Sequence, residues 1–313
     1  MTIAFVFPGQ ASQYVGMGKE LCSHFPEAAA VFEKADTVLG FSLSRLCFEG
    51  PQEELNKTAI TQPAVLTTSI ACLAVIRKAK GPVPVAAAGH SLGEYSALVA
   101  AGSLSFEDAV RLVRKRGQYM QEAVPLGEGG MAAVMGLSSE EVAAVCREAS
   151  TAGVVEAVNL NCPGQVVIAG DTAGLKAAGP LLKEAGAKRI IPLPVSAPFH
   201  SSLMVPAGEK LAKDLDAVAI ADPSMPVVAN VSADYVRTGP EVKASLLKQV
   251  YNPVRWEESV RLLAAGGIQT FIEVGPGKVL SGLIKKTCRE ASLYNVEDLA
   301  SLEKVLALTK EVS

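Results

Sequence analysis

This chain has few aromatic residues and few histidines, and it has no excess of basic residues over acidic ones. Aromatic residues make up 5% of the 313 positions, and 29 basic residues are set against 32 acidic ones, for a net charge of −3. This balance argues against a nucleic-acid-binding surface. Only three histidines are present, so each can be weighed as a catalytic base.

Cysteine patterns and membrane signals are also missing. The six cysteines are scattered, without a C-x-x-C pair or a histidine at zinc-finger spacing. This usage predicts reduced thiols inside the cell and no bound metal or redox cofactor. The first residues carry no basic segment of a signal peptide, and no uninterrupted apolar run approaches the roughly 20 residues of a membrane helix. The sequence therefore predicts a cytoplasmic protein that does not associate with membranes.

Alternating strand and helix patterns predict the fold class. Apolar runs at 2–7, 83–89 and 269–274 are typical of buried strands, and helical periodicity covers 61–79 and 92–101. Strands that alternate with helices indicate an α/β protein with a mostly parallel sheet. We expect a large hydrolase-like domain built in this way.

The middle of the chain changes character after the glycine-rich loop around Gly130. Six elements follow in the order βαββαβ, which is the ferredoxin-like pattern. They are predicted at 131–136, 139–149, 154–159, 165–169, 171–185 and 190–195. We therefore assign 126–196 to a small inserted domain, and 1–125 with 197–313 to the large α/β domain.

A nucleophile motif stands between one predicted strand and the helix after it. Gly89-His90-Ser91-Leu92-Gly93 matches G-x-S-x-G in the strand-turn-helix context that this motif requires. The glycines relieve crowding in a sharp turn, and the unpaired N–H groups of the helix start favour an oxyanion. The alternative is an ordinary strand-to-helix turn with a serine cap. The context favours Ser91 as the nucleophile.

A serine nucleophile needs a base, and elimination among the histidines favours one of them. His90 is adjacent to Ser91 in the turn, so its side chain should diverge from that of Ser91. His24 ends a helical stretch and is better explained by a surface or packing role. His200 lies in a loop where the chain re-enters the large domain, and clefts between domains are common places for a site. A buried structural histidine remains the alternative for His200.

One arginine falls on the apolar face of the helix predicted at 106–123. Placed at 100° intervals, Arg116 shares an arc with residues such as Ala109 and Met120. A guanidinium keeps its charge, so there it needs a carboxylate partner or access to a cleft. Arg116 is either half of a buried ion pair or a bidentate partner for a substrate carboxylate.

Taken together in order, seven segments make the chain resemble the malonyl-CoA:acyl carrier protein transacylases and the related acyltransferase domains of fatty-acid and polyketide synthases. The resemblance covers nearly the whole chain. The segments are Phe7-Pro-Gly-Gln-Ala-Ser-Gln13, Gly89-His-Ser-Leu-Gly-Glu94, Arg114-Lys-Arg-Gly-Gln-Tyr-Met120, Asn161-Cys-Pro-Gly-Gln-Val-Val-Ile-Ala-Gly170, Ala197-Pro-Phe-His-Ser201, Gln249-Val-Tyr-Asn-Pro-Val-Arg-Trp256 and Glu273-Val-Gly-Pro-Gly277.

The resemblance implies a role for each residue of the catalytic centre. Ser91 would be the nucleophile and His200 its general base. The backbone carbonyl of Gln249, rather than an acid, would orient His200. The backbone N–H groups of Gln10 and Leu92 would form the oxyanion hole.

The resemblance also implies the substrates. Arg116 would bind the malonyl carboxylate, malonyl-CoA would be the donor substrate, and the phosphopantetheine thiol of acyl carrier protein would be the acceptor. Leu92 and Phe199 resemble the residues of malonyl-selective members. Because acyl carrier protein is acidic, Lys188-Arg189 or Lys285-Lys286 with Arg289 are candidate docking patches.

Three other interpretations compete with this one. An esterase or thioesterase would need an acid between nucleophile and histidine, and Asp171 has that place in chain order. The chain could also be a non-catalytic module that binds or scaffolds acyl carrier protein. Gly275-Pro-Gly277 followed by Lys278 invites a nucleotide-binding interpretation, but it lacks P-loop spacing and is better explained as a turn before a helix.

Overall fold

Two β-sheets organise the protein, whose computed structural model describes residues 2–125, 127–195 and 197–310. The six strands of the larger sheet are, in spatial order, β10 (Ser292–Val296), β9 (Thr270–Val274), β1 (Ile3–Phe7), β2 (Ala86–Gly89), β7 (Val227–Ala229) and β8 (Asp234–Val236). Neighbours from β10 to β7 are parallel, and β8 runs antiparallel to β7. The predicted α/β class with a mostly parallel sheet is confirmed.

Helices cover both faces of this sheet, as the central strand β1 shows. Ile3, Phe5 and Phe7 point into one buried apolar cluster, and Ala4 and Val6 point into another. Since both faces are buried, β1 is apolar throughout instead of alternating with polar residues.

Twelve α-helices lie outside the inserted segment in the described part of the chain. They are α1 (Lys19–His24), α2 (Pro26–Leu39), α3 (Leu43–Glu49), α4 (Gln52–Leu55), α5 (Thr58–Lys78), α6 (Gly93–Ala100), α7 (Phe106–Glu122), α10 (Val205–Asp216), α11 (Gly239–Gln249), α12 (Trp256–Ala265), α13 (Val279–Thr287) and α14 (Leu299–Lys310). The sequence analysis anticipated the helical stretch that ends at His24, which is α1, but it did not predict α3, α4, α11, α14, β8 or β10. The helix predicted near 202–217 begins as a 3-10 turn, Ser202–Met204, which α10 continues.

Helix α5 corrects one sequence-based expectation. By length and composition it is apolar enough to cross a membrane, although the sequence was expected to contain no such segment. Most of α5 is buried inside the protein, where it packs against α2 and α7. Core helices of soluble proteins share this composition, since a helix that is apolar all round is a buried one.

The inserted segment forms its own antiparallel sheet, with the spatial order β4-β5-β3-β6. In chain order its elements are β3 (Gly129–Met135), α8 (Ser139–Ala149), β4 (Val155–Cys162), β5 (Gln165–Asp171), α9 (Thr172–Glu184) and β6 (Arg189–Pro192). A capping box at Ser138 begins α8, and the carboxylate of Asp171 caps α9. The βαββαβ order and a separate apolar core confirm the ferredoxin-like prediction.

Backbone hydrogen bonds join the inserted segment to the rest of the molecule. Val254 pairs with β4 as a parallel bridge, in which Leu160 N donates to Val254 O at 2.9 Å and Val254 N donates to Val158 O at 2.8 Å. Leu126 and Ser196 lie outside the described residues, so the domain boundaries at 126 and 196 stay predictions.

Candidate active site

The candidate site lies at the carboxyl edge of the larger sheet, where β1, β2 and β7 end. Gln10 follows β1, Ser91 follows β2 and Asn230 follows β7. This edge is where open α/β sheets bind their ligands. A cleft opens here between the larger sheet and the inserted segment, and Asn161 and Val167 of the inserted segment line it together with Ser91.

The turn at Ser91 depends on close backbone packing. Ser91 has a left-handed φ of 51°, which an L-residue adopts only where the surroundings hold it. A Cβ on Gly89 would overlap the backbone of Gly93, and a Cβ on Gly93 would overlap the carbonyl of Phe7. Both glycines of the motif are therefore required sterically.

His200 faces Ser91 across the cleft. Its Nε2 lies 2.7 Å from Ser91 Oγ, and its Nδ1 lies 2.8 Å from the backbone oxygen of Gln249. Burial first, and then the positive charge of Arg116, lower the pKa of His200 to about 3, so the ring is neutral at physiological pH. A carbonyl can only accept, so Nδ1 carries the ring proton and Nε2 accepts from the Ser91 hydroxyl. The pair can thus move a proton from serine to imidazole.

The other two histidines point elsewhere. His90 Nε2 lies 2.8 Å from Asn161 Oδ1, and burial lowers the pKa of His90. Its side chain diverges from that of Ser91, as the sequence predicted. His24 is exposed, with Nδ1 2.9 Å from the backbone oxygen of Glu20.

Arg116 is buried beside the serine, and its hydrogen-bond partners among the described residues are neutral. Its side chain is 1% exposed, its Nη1 donates to Gln62 Oε1 at 2.9 Å, and its Nη2 donates to Gln249 Oε1 at 2.9 Å and to Ser91 Oγ at 3.1 Å. Among the described residues no carboxylate lies within 4.0 Å of this guanidinium. The alternative of a buried ion pair is therefore wrong, and the guanidinium opens onto the cleft.

A buried polar network beneath Ser91 was not predicted from the sequence. Asn230 Oδ1 accepts from Ser91 N at 2.7 Å, and Asn230 Nδ2 donates to Gly89 O at 2.7 Å. Glu94 Oε2 accepts from Asn230 N and from Gln249 Nε2, both at 2.9 Å. Burial raises the pKa of Glu94 to about 7. This network fixes the backbone on which Ser91 stands.

The two groups expected in the oxyanion hole come from the ends of two neighbouring strands, β1 and β2. Gln10 is in the loop after β1 and lines the cleft, and Leu92 is the N-cap residue of α6. Within residues 2–125, 127–195 and 197–310, no group accepts a hydrogen bond from the backbone N–H of Gln10 or of Leu92. Both N–H groups are therefore unpaired within the described part of the chain.

Other residues from the sequence analysis have structural partners. Both carboxylate oxygens of Asp171 bond backbone N–H groups at the start of α9 and next to β4, so it cannot complete a hydrolase triad with His200. Gly277 N donates to Glu297, and Lys278 precedes α13, so this segment is a turn before a helix. The six cysteines are unpaired, and the described residues contain no cluster of three potential metal ligands.

The candidate docking patches lie at the surface. Lys286 Nζ donates to Gln165 Oε1 at 3.1 Å, and Lys285 Nζ donates to Arg289 O at 2.7 Å. Their helix, α13, also contributes Leu280 and Leu283 to the cleft wall. Docking at these patches stays a prediction.

A serine hydroxyl that donates to a neutral imidazole, at a strand-to-helix turn of an α/β sheet, defines the class of serine-nucleophile enzymes. The buried guanidinium of Arg116 lies within hydrogen-bond distance of that hydroxyl. The sequence model of the family described as "Acyl transferase domain" matches residues 4–311. The chain belongs to this family of acyltransferases.

Relatives and solved structures agree with the assignment. The chain is 54% identical over 310 residues to the malonyl CoA-acyl carrier protein transacylase of Bacillus subtilis. The matched residues make up 99% of this chain and 98% of the relative. The Coxiella burnetii enzyme of the same name superposes with a TM-score of 0.96 at 42% identity, covering 98% of this chain and 97% of that one. A malonyl-transacylase in complex with its type II PKS acyl-carrier protein also gives a TM-score of 0.96, at 45% identity and with 98% and 100% covered.

Proposed function

We propose that this acyltransferase moves a malonyl group from malonyl-CoA to the phosphopantetheine thiol of acyl carrier protein, through a malonyl ester on Ser91. The observation that carries the proposal is the environment of Arg116. A fully buried guanidinium that pairs with no carboxylate of the described residues, 3.1 Å from the serine oxygen, is suited to hold the free carboxylate of a malonyl group.

In the first half-reaction, His200 Nε2 takes the proton of Ser91 Oγ as this oxygen attacks the thioester carbonyl. The oxyanion forms beside the backbone N–H groups of Gln10 and Leu92, and each such donor contributes about 3–4 kcal/mol to lowering the barrier. Collapse breaks the carbon–sulfur bond, and the imidazolium returns the proton to the departing CoA thiol. The malonyl ester remains on Ser91 with its carboxylate on Arg116.

The second half-reaction repeats these steps with a new nucleophile. The phosphopantetheine thiol passes its proton to His200 and attacks the ester carbonyl. Collapse breaks the bond to Ser91 Oγ, which takes the proton back from His200. Because the same residues serve both halves, the kinetics should be ping-pong.

The names of the relatives support both the donor and the acceptor. Malonyl CoA-acyl carrier protein transacylases match nearly the full length of the chain, and one neighbouring structure contains an acyl-carrier protein. The mechanism uses only side chains and backbone groups, so we propose that no bound cofactor is needed. We also propose a cytoplasmic location, which the scattered and unpaired cysteines support.

Mass spectrometry tests the covalent intermediate. After brief exposure to malonyl-CoA, the peptide that contains Ser91 should gain one malonyl group, and the Ser91→Ala protein should gain none. The His200→Ala protein should acquire the adduct far more slowly. An adduct on another residue, or acylation at an unchanged rate without His200, would contradict the scheme.

A second measurement tests the carboxylate site. Arg116→Ala should lower kcat/KM for malonyl transfer much more than for acetyl transfer, because only malonyl presents a carboxylate. Arg111→Ala is the matched control, since Arg111 is exposed on the same helix and pairs with Asp108. Equal losses for both acyl groups in Arg116→Ala would refute the role of Arg116.

A further inference from the structure

The guanidinium of Arg116 is held by two side-chain amides. Gln62, on α5, is 1% exposed and accepts from Nη1, while Gln249, at the end of α11, is fully buried and accepts from Nη2. Both bonds are 2.9 Å long. Each amide oxygen fixes one nitrogen of the guanidinium without adding charge.

The acidic residue of this network is kept from pairing with the arginine. Glu94 lies beneath the serine, but its Oε2 accepts from Gln249 Nε2 at 2.9 Å. The opposite end of the same amide, Oε1, accepts from Arg116. Gln249 therefore stands between the buried carboxylate and the buried guanidinium.

A carboxylate in place of the Gln62 amide would have nearly the same shape and could accept the same hydrogen bond, but it would neutralise Arg116. In a buried site, an ion pair formed within the protein competes with one formed to a ligand. The choice of an amide at position 62 thus leaves the positive charge of Arg116 for the acyl group.

From these contacts we infer that Gln62 determines specificity. It positions Arg116 while leaving its charge uncompensated, and so it favours acyl groups with a free carboxylate over neutral acyl groups. This inference rests on the proposed function of Arg116 in binding the malonyl carboxylate.

The test compares a charged and a neutral substitution of Gln62. Gln62→Glu adds a negative charge with little change of shape, whereas Gln62→Met removes the acceptor and adds no charge. For each protein kcat/KM is measured with malonyl-CoA and with acetyl-CoA, and the acetyl value is the internal reference for folding and for the Ser91–His200 pair. In Gln62→Glu the malonyl-to-acetyl ratio should fall at least about tenfold. In Gln62→Met it should change by less than about threefold, because Gln249 still accepts from Nη2 and holds the guanidinium in place.

Two results would overturn the inference. If the ratio falls equally in both variants, Gln62 acts only by placing the guanidinium; if it is unchanged in Gln62→Glu, the charge at position 62 does not matter. Arg116→Ala, measured in parallel, separates this failure from a failure of the proposed function. An unchanged malonyl-to-acetyl ratio in Arg116→Ala would refute the proposed carboxylate site itself. A lowered ratio in Arg116→Ala together with an unchanged ratio in Gln62→Glu would refute only the role of Gln62.

Discussion

The positive charge of Arg116 should control the basicity of His200. Burial and then this charge lower the pKa of His200 to about 3. Replacing Arg116 by methionine removes the charge but keeps an unbranched side chain of similar length. The pKa of His200 should rise in Arg116→Met, and it should stay below the ordinary value because the burial remains.

The geometry sets the magnitude of this rise. Ser91 Oγ lies 2.7 Å from His200 Nε2 and 3.1 Å from Arg116 Nη2, so the two nitrogens are at most about 5.8 Å apart. At an effective dielectric constant of about 20, two unit charges at that distance interact by about 3 kcal/mol, or about two pK units. The acid limb of the rate profile should therefore move upward by about two pH units.

The assay is the rate of Ser91 acetylation by acetyl-CoA between pH 4.5 and 8. Acetyl-CoA is used because its acyl group has no carboxylate that would respond to the loss of Arg116. Glu94 also titrates in this range, so both enzymes are compared in a Glu94→Gln background, with circular dichroism as the check on folding.

The two enzymes should differ most at the acid end of this range. With Arg116 present the rate should be nearly flat, because the imidazole stays neutral throughout. In Arg116→Met the rate at pH 4.5 should be about a quarter of that at pH 8. Superimposed profiles, or a midpoint near pH 6.5 with Arg116 present, would refute the reasoning.

Two further predictions concern stability. Because the pKa of Glu94 is raised to about 7, the folded protein binds more protons than the unfolded chain between roughly pH 4.5 and 7, and it loses stability as the pH rises through this range. Glu94→Gln should therefore raise the Tm more at pH 8 than at pH 5. An equal rise in Tm at both pH values would contradict this. Gly93→Ala should destabilise the protein by more than about 3 kcal/mol in urea unfolding, because the new Cβ overlaps a backbone carbonyl of β1. In Gly282→Ala, on α13, the Cβ meets no atom within 4 Å, so this control should be stabilised by about 0.5–1 kcal/mol.

Local patterns allowed much of the site to be predicted. The turn at Ser91 could be identified because a glycine is needed on each side of it, at Gly89 and Gly93, where the backbone is too crowded for a Cβ. The burial of Arg116 follows from its helical phase alone. The inserted segment was predictable because turn residues bound its short apolar strands and capping residues begin its helices.

The remaining features depend on contacts that are distant in sequence. Asn230 is an ordinary asparagine after a three-residue strand, and only the fold brings it to the backbone of Ser91. Gln62 lies on a helix buried on nearly all sides, where its polarity has no periodic meaning. The carbonyl of Gln249 has no side-chain signal at all, so it was inferred only from resemblance. Strands β8 and β10 are short edge strands, whose partly exposed residues lack the continuous apolar run of β1.

The left-handed backbone of Ser91 also limits which atoms can replace its hydroxyl. Threonine carries the same oxygen nucleophile, yet its branched Cβ is strongly disfavoured at a φ of 51°. Cysteine is unbranched and meets no such penalty. Exchanging oxygen for sulfur at this position is therefore easier for the fold than adding one methyl group, and a thiol version of the enzyme is a more accessible redesign than a threonine one.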